Sequence, residues 1–183
     1  MLAKALIAIA VLLVLFSAVV ATRPSQFTVL RGTSIAAPPQ VVYAQVADFH
    51  KWPAWSPWAK LDPEMKMTFA GTDGSPGATY EWTGNSKVGE GRMTVVNVRA
   101  PTLFALKLEF LKPFEATNDC TFTFVPTVGG GTQATWAMSG HNGFLQKAFA
   151  MFMNMDKMVG GDFERGLASL KQVSEGEAKK AAH

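Results

Sequence analysis

The chain opens on an unbroken apolar run, changes to short segments of alternating apolar and polar positions, and closes on a segment with apolar residues at steps of three and four. From Ala5 to Thr22 no side chain is charged, and Lys4 and Arg23-Pro24 bound the run. Such a length just spans a bilayer, and with no polar face it does not read as an amphipathic helix of a soluble core. Val19-Val20-Ala21 also offers the small or modest residues that a signal peptidase uses, so residues 1–22 read as a retained transmembrane anchor or a cleaved signal peptide. With Lys4 kept inside, the remainder lies on the extracytoplasmic side, as a single-pass membrane protein or, after cleavage, a secreted one; Arg23 and Arg31 weaken that charge bias.

After a short linker at 23–26, the alternation predicts a first strand from Gln26 to Ala36, stopped at Ala37-Pro38-Pro39, where proline pre-sets a helix. Val42, Val46 and Phe49 carry the buried face of that helix, which runs to about Asp48. The next stretch, His50 to Trp58, is too proline-rich to continue it. Its tryptophans, Trp52, Trp55 and Trp58, read either as a lid or membrane contact, or as a local aromatic core. Six more strands follow, at Met65–Ala70, Ala78–Thr83, Gly89–Val98, Leu103–Phe110, Ala116–Val125 and Thr132–Ser139. Phe104, Leu106, Leu108 and Phe110 share one face of their strand, and Cys120, Phe122 and Phe124 one face of the next, as a half-buried antiparallel sheet requires. From Gly143 to about Val173 the spacing predicts one long amphipathic helix, bent or closely approached at Gly160-Gly161. Residues 174–183 read as a frayed polar tail.

This order predicts an α+β fold: about seven curved antiparallel strands wrapped around a long C-terminal helix, plus the N-terminal transmembrane helix. The strings IAAPPQVVYAQVADFHKWPAWSPW, GATYEWTGNSKVGEGRMTV and MDKMVGGDFERGLASLK resemble the polyketide cyclase/dehydrase-type branch of the START-like, or SRPBCC, superfamily over about residues 27 to 172. The resemblance implies a helix-grip domain, here spanning 27–173, with a hydrophobic cavity between sheet and helix. It does not by itself choose a function, because members range from lipid carriers and hormone receptors to aromatase/cyclases and plant allergens.

Composition narrows the classes further. The 183 residues are 48% hydrophobic and 17% charged, with a mean hydropathy of +0.12. Without residues 1–22 the apolar share falls to roughly 43%, ordinary for a globular domain. A net charge of +3 gives no footprint for nucleic acid, and the lone Cys120 forms no internal bridge. Histidines at only 50, 141 and 183, and no Cys or His pair at zinc spacing, point to no metal site and no cofactor. The weak candidates for acid/base work are Glu90 and Arg92, which share one strand face, and His50 with Asp48 beside the tryptophans. Better supported is an apolar pocket lined by Tyr80, Trp82, Trp136 and Met138 from strands and by Phe149, Phe152, Met153 and Met155 from the last helix. The same residues would equally fill a core. The leading expectation is a module tethered to the membrane through residues 5–22 that binds a lipid-like or isoprenoid-like molecule. The alternatives are a cyclase, dehydratase or hydrolase acting on an apolar substrate, and a ligand-free envelope interaction domain. The sequence sets no oligomeric state.

Overall fold

The computed structural model describes residues 2–152 and 155–181. The apolar run forms α1 (Leu2–Thr22), long and apolar enough to cross a membrane. Strand β1 (Gln26–Ile35) follows, then α2 (Pro39–Ala47), a single 3-10 turn at Phe49–Lys51, and α3 (Trp52–Trp55). The sheet continues with β2 (Lys66–Ala70), β3 (Thr79–Thr83), β4 (Glu90–Arg99), β5 (Leu103–Lys112), β6 (Ala116–Pro126) and β7 (Thr132–His141). Two helices, α4 (Phe144–Ala150) and α5 (Met155–Ala181), complete the order.

All pairings are antiparallel, and the strand order is β1-β7-β6-β5-β4-β3-β2, so the last strand returns beside the first. Successive hairpins make this order with short turns, and the alternation seen in sequence becomes one apolar face. Phe104, Leu106, Cys120, Phe122, Phe124, Ala134, Trp136 and Met138 lie on it, all buried. The fold is therefore the helix-grip architecture that the order of elements predicts.

Helix α5 is held to this face by a stack of Phe163 on Trp136, with ring centroids 4.0 Å apart and planes 8° from parallel. Gly166 makes room for it: a Cβ there would meet Trp136 at 2.9 Å and Pro57 at 3.1 Å. The three tryptophans of the proline-rich stretch join the same cluster. Trp52 and Trp55 meet Phe122, and Trp58 contacts both Trp136 and Phe163. Trp52 and Trp55 are buried, and their indole N–H groups donate to the carbonyls of Val46 and Gln45, which ties α3 to α2. These tryptophans are thus core, the second of the two readings.

The structure corrects the C-terminal third in three ways. The single helix over 143–173 is two, because the two parts have different partners: α4 lies against α1, whereas α5 lies along β1. Arg31 fixes where α5 begins, reaching Asp156 at 3.0 Å and Glu164 at 2.7 Å. Its guanidinium crosses directly over Gly160, so that glycine admits a side chain rather than a bend or another backbone. The tail is also not frayed through its described length: α5 runs to Ala181, burying Ser174 completely and packing Val173 and Ala178 on the core. Polar composition hid that sparse stripe. Lys171 donates to the Ser34 carbonyl and the Ala36 N–H donates to Glu175, extending the α5–β1 seam.

Two outcomes follow from this packing. Ala for Gly normally stabilises a helix by up to about 1 kcal/mol. Gly176, with open space around it, should follow that rule, while Gly166→Ala should lower the melting temperature; stabilisation by both would refute the clasp. Arg31 hydrogen bonding holds the Asp156 carboxyl below its usual range. A depressed carboxylate contributes stability above its unfolded value and loses it as pH falls through the lowered folded value. The stability deficit of Arg31→Met should therefore be largest near neutral pH and shrink below roughly pH 4, measured by denaturant unfolding.

Candidate functional site

The concave face of the sheet is covered unequally along its length. Toward the far end, where Ile35 pairs with Thr132, the aromatic cluster leaves Phe104, Phe122 and Phe124 at 1% exposure or less. The near end is where Gln26 pairs with His141, close to the end of α1. There the cross-strand register sets Trp82 beside Gly91, Gly91 beside Phe110, and Met93 beside Leu108. Trp82, Leu108 and Phe110 are only half-buried, and Met67, paired with Trp82, is exposed. Close contact explains Gly91: a Cβ at that position would run into the Trp82 ring, whose edge meets Phe110 at a centroid distance of 6.0 Å. The Trp82 indole N–H donates to the Val88 carbonyl, so the ring is fixed in place. The near end is thus a preformed apolar surface that the clasp does not seal.

The titratable groups turned onto this face are poor acid–base groups at neutral pH. Burial pushes the Tyr80 hydroxyl up to about 12. The Cys120 thiol is likewise pushed up to about 12, by burial first and then by Asp119, with the Trp136 indole acting in the opposite sense. Both stay protonated. Trp136 Nε1 is buried without a hydrogen-bond partner among the described residues.

The pocket residues read from sequence separate into three groups. Tyr80 and Trp82 lie on the concave face, Tyr80 stacked on Phe69 at 5.2 Å. Trp136 and Met138 are buried in the clasped core. Phe149 and Phe152 do not line the interior: they are 60% and 78% exposed, because α4 packs on α1 and turns them away from the sheet. Met153 lies outside the described residues, as does the side chain of Met155. Leu108 and Phe110 join the surface instead; their alternation was visible in the sequence, but which end of the face would stay open was not.

The polar candidates fall elsewhere. Arg92 lies on the convex face between Glu81, at 3.5 Å, and Glu109, at 3.2 Å, while Glu90 pairs with Lys112 at 3.0 Å. These are cross-strand ion pairs facing water. His50 stands 3.4 Å from Asp48 and 2.9 Å from Asp73, its ring stacked on Phe69. Asp73, in a distant turn, had no signal in the sequence. Single ligand atoms of Asp48, His50 and Asp73 lie within 4.8 Å of one another, close enough to share a cation. Asp48 is already engaged, however, accepting from the His50 backbone N–H and facing Lys51 at 3.6 Å, as a cap on the 3-10 turn. A groove of about 350 Å³ also runs between β1 and α5, lined by Gly32, Leu167, Lys171 and Glu175, outside the grip.

Comparison with known proteins agrees with the architecture. Norcoclaurine synthase from Thalictrum flavum, in truncated form, superposes with a TM-score of 0.60 at 12% identity, covering 83% of this chain and 96% of that one. The di-domain ARO/CYC protein StfQ of the steffimycin biosynthetic pathway gives 0.61 at 12% identity, over 85% of this chain and 52% of its own. A protein from Chromobacterium violaceum gives 0.59 at 14% identity, over 81% and 96%. No curated protein matches the chain. Residues 26–175 match the family described as polyketide cyclase / dehydrase and lipid transport, a membership that supports hydrophobic-ligand binding or cyclase-type function. With the match spanning the whole sheet and most of α5, the chain belongs to that polyketide cyclase/dehydrase and lipid transport family.

Proposed function

We propose that this protein binds a hydrophobic small molecule at the unsealed near end of its concave face while α1 tethers it to a membrane. The observation that carries the reading is the half-exposed apolar surface of Trp82, Leu108 and Phe110, opposite a far end packed to completion. Covering such residues with an apolar ligand contributes roughly 25 cal/mol per Å² without any reacting group. A lipid-like or isoprenoid-like molecule, long and apolar, suits a trough rather than an enclosed chamber.

The family description and the enzymes among the structural neighbours keep a cyclase-type reading as the alternative. The placement of charge favours binding. Glu90 and Arg92 are spent in convex-face ion pairs, the Asp48–His50 pair caps a turn, and the inward Tyr80 and Cys120 hold their protons. With α1 retained, the domain hangs on a linker of only a few residues, so the near end stays at the membrane. Lys4, opposed by Arg23 and Arg31 on the other flank, supports placing the domain on the extracytoplasmic side.

Titration of the full chain in detergent with a fluorescent fatty acid tests the binding site. Leu108→Arg, on the trough, should weaken binding roughly tenfold or more, whereas Lys107→Glu, on the opposite face of the same strand, should leave it unchanged. Equal affinity in both variants and the parent would overturn the proposed site.

A further inference from the structure

Helix α4 is built the wrong way round for water. Phe144, Leu145, Phe149 and, in the turn that follows, Phe152 are 50–78% exposed, while Gln146, Lys147 and Ala148 between them are half-buried. Monomeric domains rarely expose so many large apolar side chains on one short element without something to cover them. Its neighbour is α1: the ring of Phe152 stacks against Phe16 at 6.5 Å, the planes 25° apart.

That contact sets a depth. Phe16 lies six residues before Thr22, the end of α1, about 9 Å along the axis at 1.5 Å per residue. The whole of α1 spans about 32 Å, close to the thickness of a bilayer's hydrocarbon core. With α1 in the membrane, Phe152 is therefore held beneath the level at which the chain leaves the bilayer. Interfacial helices bury their apolar faces by about 5–10 Å, the same range. A second feature at the same end of the sheet agrees. The end of β5 exposes Leu111 and the β5–β6 turn exposes Phe114, and the register puts both beyond the level where Asn118 meets Gly140 and Gly140 meets Phe27.

We infer that α4 and its following turn are immersed in the acyl region of the bilayer leaflet nearest the domain, an insertion separate from the span of α1. This inference rests on the reading that α1 is a retained anchor. It gives the inverted polarity of α4 a cause, and it sets the open end of the concave face against the lipid, so that an apolar molecule moves between leaflet and trough with little passage through water. A partner protein or second copy would have to reach the same residues below the bilayer surface, and lipid is already there.

Site-specific depth measurement on the full chain tests it. The native Cys120 is 3% exposed and stays unlabelled, so single variants Phe149→Cys, Phe114→Cys and Val128→Cys can each carry an environment-sensitive fluorophore. Val128 sits in the β6–β7 turn at the far end of the sheet and serves as the reference. In phosphatidylcholine vesicles containing spin-labelled acyl chains, the Phe149 position should be quenched at least roughly threefold more than Val128, with Phe114 between them. Equal quenching of Phe149 and Val128 in protein that floats with the vesicles would overturn the inference and leave the anchor standing. Failure to float would overturn the anchor and the inference together. Shielding of Phe149 that follows the protein-to-lipid ratio instead of the spin label would assign α4 to a second copy and reject immersion.

Discussion

The fold depends on the stacked contact of Phe163 with Trp136. A curved antiparallel sheet with one apolar face needs a partner layer, and α5 becomes that layer through the Phe163 ring laid flat on the Trp136 ring, with Leu167 and Leu170 buried along the same helix. Gly166 lets the helix come that close, and Arg31 fixes its starting point through Asp156 and Glu164. Trp58 closes the edge of the stack, which recruits the proline-rich segment and, through the Trp52 and Trp55 N–H groups, α2. Removing either ring would leave a large cavity in the most densely aromatic part of the molecule.

The same contact divides the interior. By filling the far end with indole and phenyl rings it commits that half of the grip to stability. The near end is left with Trp82, Leu108 and Phe110 half-covered, and that end faces the side from which α1 departs. The division leaves one apolar sheet face sealed at one end and half-covered at the other. The sequence-predicted Glu90 and Arg92 stand on the convex surface, Arg92 in the Glu81–Arg92–Glu109 ladder, and His50 in the capped loop.

Period-two alternation made the seven strands readable in the sequence, because each strand has one face in the core and one in water. Residues such as Phe104 and Phe122 announce their side by their neighbours. The C-terminal helices were less readable for a reason of the same kind. Apolar spacing of three and four continues from Leu145 to Leu170 whether the cover is lipid, α1 or the sheet, so pattern alone joins α4 to α5 and sends Phe149 and Phe152 inward. Periodicity records that a face is apolar, not what it meets. Likewise Val173 and Ala178 are too sparse among charges to signal a buried stripe, and the partnership of Arg31 with Asp156 is long-range in sequence. Trp82 was legible as a pocket residue, but Leu108 and Phe110 were not, because they differ from the sealed residues of the same face only in what lies above them.

The central claim is that the trough holds an apolar small molecule taken up at a membrane. Native mass spectrometry of the full chain released from lipid nanodiscs tests it most directly, with a Leu108→Arg variant prepared in parallel. The account predicts one apolar molecule per chain retained by the parent protein and lost from the variant. Repeated recovery of the folded parent protein with nothing bound, or equal retention in both, would contradict it.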